Sequence, residues 1–377
     1  MRTLLRLVLI LVSLLGSLGL AEAFFRRQES STDLWLPMDE PGRLYALKPN
    51  GDNTNSQGFN ERELPLEKPP DTWRVVVMGD SVTFGGGVAR EEAYPRVAEA
   101  ILRERGLKAE IINLSVYGYD ADQVAATLRY RGWLYHPDLV VYAAYTNDGN
   151  PTELLRLGDT HTPIYIGGTD SKLGAFFLRH SAIARRVMGA ARSRRAESTV
   201  RTEAQVSAMI DGAMARMSAD AEAHGVPLLV FGLVAHVLAD PNPETCAQSL
   251  KGAQFCAGQL HTLRLIGELA RARGLPFAQI LPALRGGPER DFYLPGPEDP
   301  HHPNAVGHAR IGALLADVLL AYRDGSLDGL EASAIPAELI DDAAGRPASE
   351  RKPKGVRPSK NPNAGRPRRS ETPAQDP

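Results

Sequence analysis

The chain has 377 residues, 43% of them hydrophobic, which is ample for the core of one large domain or two small ones. Its formal net charge of -2 gives no global pull toward nucleic acid, so none is expected as a partner. That average conceals an asymmetry: residues 346–377 carry nine Lys/Arg against three Asp/Glu, with seven prolines and almost no large apolar side chain. Such a segment cannot offset its ordering entropy, so 324–377 is expected to be a linker and a disordered basic tail.

Taken in order, the chain opens with "LLRLVLILVSLLGSLGLAEAFF" after Met1-Arg2. Ala21-Glu22-Ala23 fits the small-x-small pattern of signal-peptide cleavage. Left uncut, residues 4–25 are also long enough to cross a bilayer, since a span needs roughly 20 residues. Arg26-Arg27 would then lie against the usual bias of positive charge toward the cytoplasm. Residues 1–25 therefore read as an export segment, and removal or retention as a membrane anchor stays open. The expected location is periplasmic or extracellular. Residues 26–71, rich in Asn, Pro, Glu and Gly, are expected to form an extended lead-in over the domain edge.

From Trp73 the pattern becomes regular. "WRVVVM" is expected as a first strand and "AYPRVAEAILRERG" as an amphipathic helix stopped at Gly106. "AEIINLSV" follows as a second strand, then a helix over "DADQVAATLRYRGW" with Asp120 as N-cap, then a third strand in "PDLVVYAAY". A long stretch, Thr146 to Thr199, has a basic helical segment near "RHSAIARRVMGAARSRR". A helix from Glu203 to His224 leads through Gly225 to a fourth strand, "VPLLVFGLV". Cys246 and Cys256, the only cysteines, bracket the polar stretch "CAQSLKGAQFC". An oxidising compartment allows that pair to close a loop as a disulfide, with two free thiols as the alternative. A helix around Leu260 to Arg273, a short strand in "PFAQIL" and a last helix in "PNAVGHARIGALLADVLLAYR" complete the series. Nearly continuous apolar strands alternating with helices argue for a parallel sheet covered on both faces, a three-layer α/β/α domain over 72–323.

Chemistry concentrates where strands end. In "VVVMGDSVTFGGGV" a buried strand turns directly into Gly79-Asp80-Ser81. No P-loop, GxGxxG fingerprint or GxSxG elbow can be laid on it. Taken alone, Gly-Asp-Ser is also good turn chemistry. "NLSVYGYD" puts Gly118 past the second strand, "YTNDGN" puts Asn147-Asp148 past the third, and "EDPHHPNAVGHA" puts Asp299 and His302 before the last helix. Together they supply what acyl transfer needs: a hydroxyl nucleophile, a base with an orienting carboxylate, and oxyanion donors. Asp299 and His302, three apart, would face the same side of a helical turn. Each has a plainer reading: Asn147 as a turn residue, Gly118 as a helix-entry glycine, Asp299 as the cap of the last helix. His301 could stand in for His302 as base, and the pair shows no recurring spacing for a metal.

The four stretches, in the order GDS, Gly, ND and DxxHPNxxGH, closely resemble the blocks of the SGNH hydrolases, also called GDSL-type esterases and lipases. The resemblance covers about Asp71 to Arg323. It implies a flavodoxin-like parallel sheet of order 2-1-3-4-5, with Ser81 as nucleophile and Asp299 and His302 completing a triad. It further implies an oxyanion hole from the amides of Ser81 and Gly118 and the Asn147 side chain. Tyr145 stands where the family usually has a glycine, and the lead-in "NSQGFNE" is similar to the N-terminal segment of exported bacterial members. No metal or organic cofactor is implied. The expected activity is cleavage of a small-molecule, lipid or glycan ester through an acyl-enzyme. Acyl transfer to or from a polysaccharide or peptidoglycan, and a binding protein with a vestigial site, remain as alternatives.

Overall fold

The computed structural model describes residues 2–32, 34–36, 38–51, 53–157, 162–167, 171–196, 201–235, 253–284, 292–294 and 302–327. Five parallel strands form the central sheet: β3 (Trp73–Met78), β4 (Ala109–Asn113), β5 (Leu139–Tyr145), β8 (Leu228–Leu233) and β9 (Phe277–Gln279), in the order β4-β3-β5-β8-β9. This is the expected 2-1-3-4-5 arrangement. Every residue of β5 and β8 is buried, which is why these strands read as unbroken apolar runs rather than alternating ones. Helix α3 (Tyr94–Glu104) packs on α9 (Ala305–Arg323), while α4 (Ala121–Tyr130) packs on α7 (Glu203–His224) and α7 on α8 (Ala253–Ala272). The two groups cover the two faces of the sheet.

Short hairpins lie outside this frame: β1 (Leu34–Trp35) with β2 (Ala46–Leu47), and β6 (Leu154–Leu157) with β7 (Thr162–Tyr165). The second hairpin and α5 (Lys172–His180) fall in the long stretch Thr146 to Thr199, and α6 (Ala182–Ala196) is its basic helical segment. At the N-terminus α1 is one continuous helix, Arg2–Ser30, running through the cleavage-like tripeptide.

One boundary differs from the sequence expectation. Helix α8 begins at Ala253, so Cys256 sits in a helix and is buried rather than at the end of a loop. The last helix starts as expected and is capped by Asn304, whose side chain accepts from the Gly307 N–H, which removes the plainer reading of Asp299 as its cap.

The edge strand β4 shows how the lead-in is held. Glu99 of α3 accepts from the Ile111 N–H at 2.7 Å, and Glu61 of the lead-in accepts from the Asn113 N–H at 3.0 Å. Two buried carboxylates thus take outward donors that a further strand would have used, which blunts the edge. At the amino ends of β3 and β4, buried Arg74 pairs with Glu110 and donates to the carbonyls of Leu66 and Tyr135 at 2.9 and 2.8 Å.

Candidate active site

Strands β4, β3 and β5 are neighbours, so the segments leaving their carboxyl ends meet. Ser81 opens α2 (Ser81–Phe84), a single helical turn directly after β3. Asp80 is its N-cap, accepting from the Val82 N–H at 3.0 Å, so the serine hydroxyl is held at the helix N-terminus by local chemistry. Isolated turns are unstable, and this one is tied at its other end by two asparagines. The Asn113 side chain donates to the Thr83 carbonyl at 2.7 Å, and the Asn60 side chain donates to the Phe84 carbonyl at 2.8 Å. One comes from β4 and the other from the lead-in.

Gly118 follows β4 with φ 65°, in the left-handed region that suits glycine. The Thr152 hydroxyl donates to its carbonyl at 2.6 Å. Asn147 follows β5 and is exposed, while its neighbour Asp148 is fully buried and accepts from Tyr142 Oη and the Tyr145 N–H. Asp148 therefore folds the loop that presents Asn147. Tyr145 is the last residue of β5 and is buried; its carbonyl accepts from the Asp148 N–H at 2.9 Å.

His302 itself is not helical. It lies in an extended segment beside 292–294, where the Leu294 N–H donates to its carbonyl at 3.0 Å and Pro303 bridges Tyr293. Asp299 and His301 lie outside the described residues, as does Cys246; Cys256 is not a free thiol. The imidazole edge reaches α2 because Gly86 has no side chain. A Cβ there would stand 2.8 Å from His302 Cδ2, 3.0 Å from Nε2 and 3.2 Å from the Ser81 carbonyl oxygen.

Asp80 senses the same assembly. Burial pushes its carboxyl up to about 6, against the pull of the Val82 N–H, the His302 charge and the Asn147 amide beside it. Burial also raises Asp148 well above the carboxylate range, reinforced by Asp80. The first, third and fourth blocks thus converge on one buried carboxylate beside Ser81. Among the described residues no group of His, Cys, Asp and Glu could hold a metal ion.

Residues 77–310 match the GDSL-like lipase/acylhydrolase family. The chain belongs to that family. This GDSL-like hydrolase acts on ester bonds. Solved structures to which it is similar include the psychrotrophic esterase EstA from Pseudoalteromonas sp., at 10% identity over 67% of this chain and 99% of that one, TM-score 0.41. Others are the acetylxylan esterase Axe2 from Geobacillus stearothermophilus, at 11% identity over 65% and 92%, TM-score 0.40, and the acetyl xylan esterase AlAXEase, at 14% over 66% and 98%, TM-score 0.40. No curated protein matches.

Four residues of this GDSL-like hydrolase support the site without having been assigned a role from its sequence. Asp80 was legible only as turn chemistry. Asn60 lies in "NSQGFNE" and Asn113 opens "NLSVYGYD", but neither sequence shows their task, because each acts on a carbonyl far along the chain. His308 is a fourth such residue, with a structural task. It is buried, its Nδ1 accepts from the Tyr94 N–H at 3.3 Å, and burial pushes it down to about 4. It stays neutral and locks α9 to the start of α3.

Proposed function

We propose that this hydrolase is an exported serine esterase that works through an acyl-enzyme on Ser81. In this reading His302 Nε2 takes the Ser81 proton as Oγ attacks the ester carbonyl, and Asp299 orients the imidazole. The oxyanion receives hydrogen bonds from the Ser81 and Gly118 amides and the Asn147 side chain. Collapse expels the alcohol, which takes the proton from His302; water then enters by the reverse route and frees the acid. The observation that supports this reading best is the seating of the His302 edge against Gly86, next to the start of α2. Export rests on the apolar α1, whose most apolar stretch has mean hydropathy 2.3 and no buried residue. The same reading includes a disulfide between Cys246 and Cys256.

The test is Ser81→Ala. We expect turnover of p-nitrophenyl acetate and labelling by a fluorophosphonate both to vanish in a folded protein. Labelling of the variant at the parent's stoichiometry would refute the assignment. Running the parent with and without a sugar acceptor reports whether water or a hydroxyl receives the acyl group.

A further inference from the structure

The export segment is built into the catalytic unit. Glu22, the middle residue of the cleavage-like tripeptide, accepts from the Ala182 and Ile183 N–H groups at 2.9 and 3.1 Å and from Ser181 Oγ at 2.9 Å. It thereby caps the N-terminus of α6 with a carboxylate, where the exposed N–H groups favour negative charge. One turn on, Arg26 pairs with Glu22 at 2.7 Å and donates to the His180 carbonyl. Glu29 and Arg185 form a buried ion pair, with Arg185 also donating to the Leu178 carbonyl, and Arg186 lies over the Phe25 ring. Cleavage after Ala23 would remove Glu22 and leave three donors at the α5–α6 corner without their acceptor.

The remainder of α1 has no such partners. Large apolar side chains from Leu4 to Leu20 are exposed throughout. From Arg2 to Glu22 a helix rises about 30 Å, the thickness of a bilayer's hydrocarbon core. If Arg2 marks one headgroup layer, Glu22 and the α5–α6 corner fall at the other.

Helix α5 is equipped for that depth. Among the described residues it buries none of its own. Leu173, Phe176 and Phe177 are 66%, 55% and 50% exposed and share one face by their spacing. Lys172, Arg179 and His180 flank them. An apolar face with basic flanks is the composition of a helix that lies in a membrane interface.

We propose that α1 is retained as a membrane anchor and that α5 docks beside it on an anionic bilayer surface, its apolar face among the acyl chains. The anchor and the interfacial helix meet at the corner capped by Glu22, so the catalytic domain is held against the membrane in one orientation. This rests on the reading of α1 as an export segment, and it is independent of the esterase chemistry.

The test uses the full chain, made with its own N-terminus and reconstituted in vesicles of phosphatidylcholine and phosphatidylglycerol. The intact mass should include residues 1–23; a chain starting at Phe24 overturns the proposal. In Phe177→Trp, emission beyond that of the parent should be quenched by bromines on the shallow acyl positions, about 5–10 Å below the headgroups, where interfacial helices lie. Quenching of that added emission by aqueous acrylamide, with none by brominated lipid, would also overturn it. Phe176→Trp provides the same readout at a second exposed position. Turnover of p-nitrophenyl acetate is measured alongside. Its absence in the parent would count against the esterase reading and leave the membrane result standing.

Discussion

Gly86 is where a single missing carbon governs the site. A Cβ there meets the His302 ring at 2.8–3.0 Å, tighter than real contacts allow, so the imidazole must move. We expect Gly86→Ala to keep the fold, because the ring can swing, and to lower kcat by about 10²-fold, the scale that a misplacement of about 1 Å produces. Unchanged kcat with unchanged thermal stability would show that His302 is not held by this contact. Asn147 gives a second test. If its side chain donates to the oxyanion, Asn147→Ala should cut kcat by roughly 10²–10³, about 3–4 kcal/mol, with KM little altered. An effect on KM alone would make it a ground-state binding residue. The loop should survive the change, since Asp148 and Tyr145 fold it.

At the scale of elements, the lead-in both closes the β4 edge and ties down α2, and Glu61 records how tightly. Burial raises its carboxyl to about 7 from an ordinary 4.5, although Arg62 and Arg96 lie at 3.3 Å. Between those values the folded chain holds a proton that the unfolded chain has released. The stabilisation from protonated Glu61 is therefore complete below about 4.5 and lost as pH rises through about 7. In Glu61→Gln that dependence is removed. The stability of the parent relative to the variant, followed by denaturant unfolding, should fall across this window; a constant difference would contradict the burial argument. The four longest strands and helix α7 follow from runs of apolar residues and from Gly225, whose left-handed backbone stops α7. The start of α8 was not legible, because "AQFC" ends the stretch between the two cysteines whose Gln, Ser, Lys and Gly read as a loop, until Cys256 is seen buried against the core. His302 was read in the loop before the last helix, and what the sequence did not show is the pairing with 292–294 beside it.

Among the described residues, the three-layer core and the long apolar helix α1 meet at the α5–α6 corner. The proposed export, if it holds, bears on Cys246 and Cys256. If they are paired, closing a loop of about ten residues should contribute roughly 2–3 kcal/mol, less any strain. Reduction should then lower the melting temperature while fluorophosphonate labelling of Ser81 persists. Two free thiols in the exported, non-reduced protein by mass spectrometry would exclude the bond. By itself the sequence determined the layers, the parallel sheet and the order of the four blocks, because these depend on local periodicity and on short motifs at strand ends. Only the tertiary structure decided that Asn60 and Asn113 hold α2, that Gly86 admits His302, and that Glu22 caps α6. Each of these joins positions remote in sequence, where no periodicity exists and where partners are fixed only once the sheet has brought the chain together.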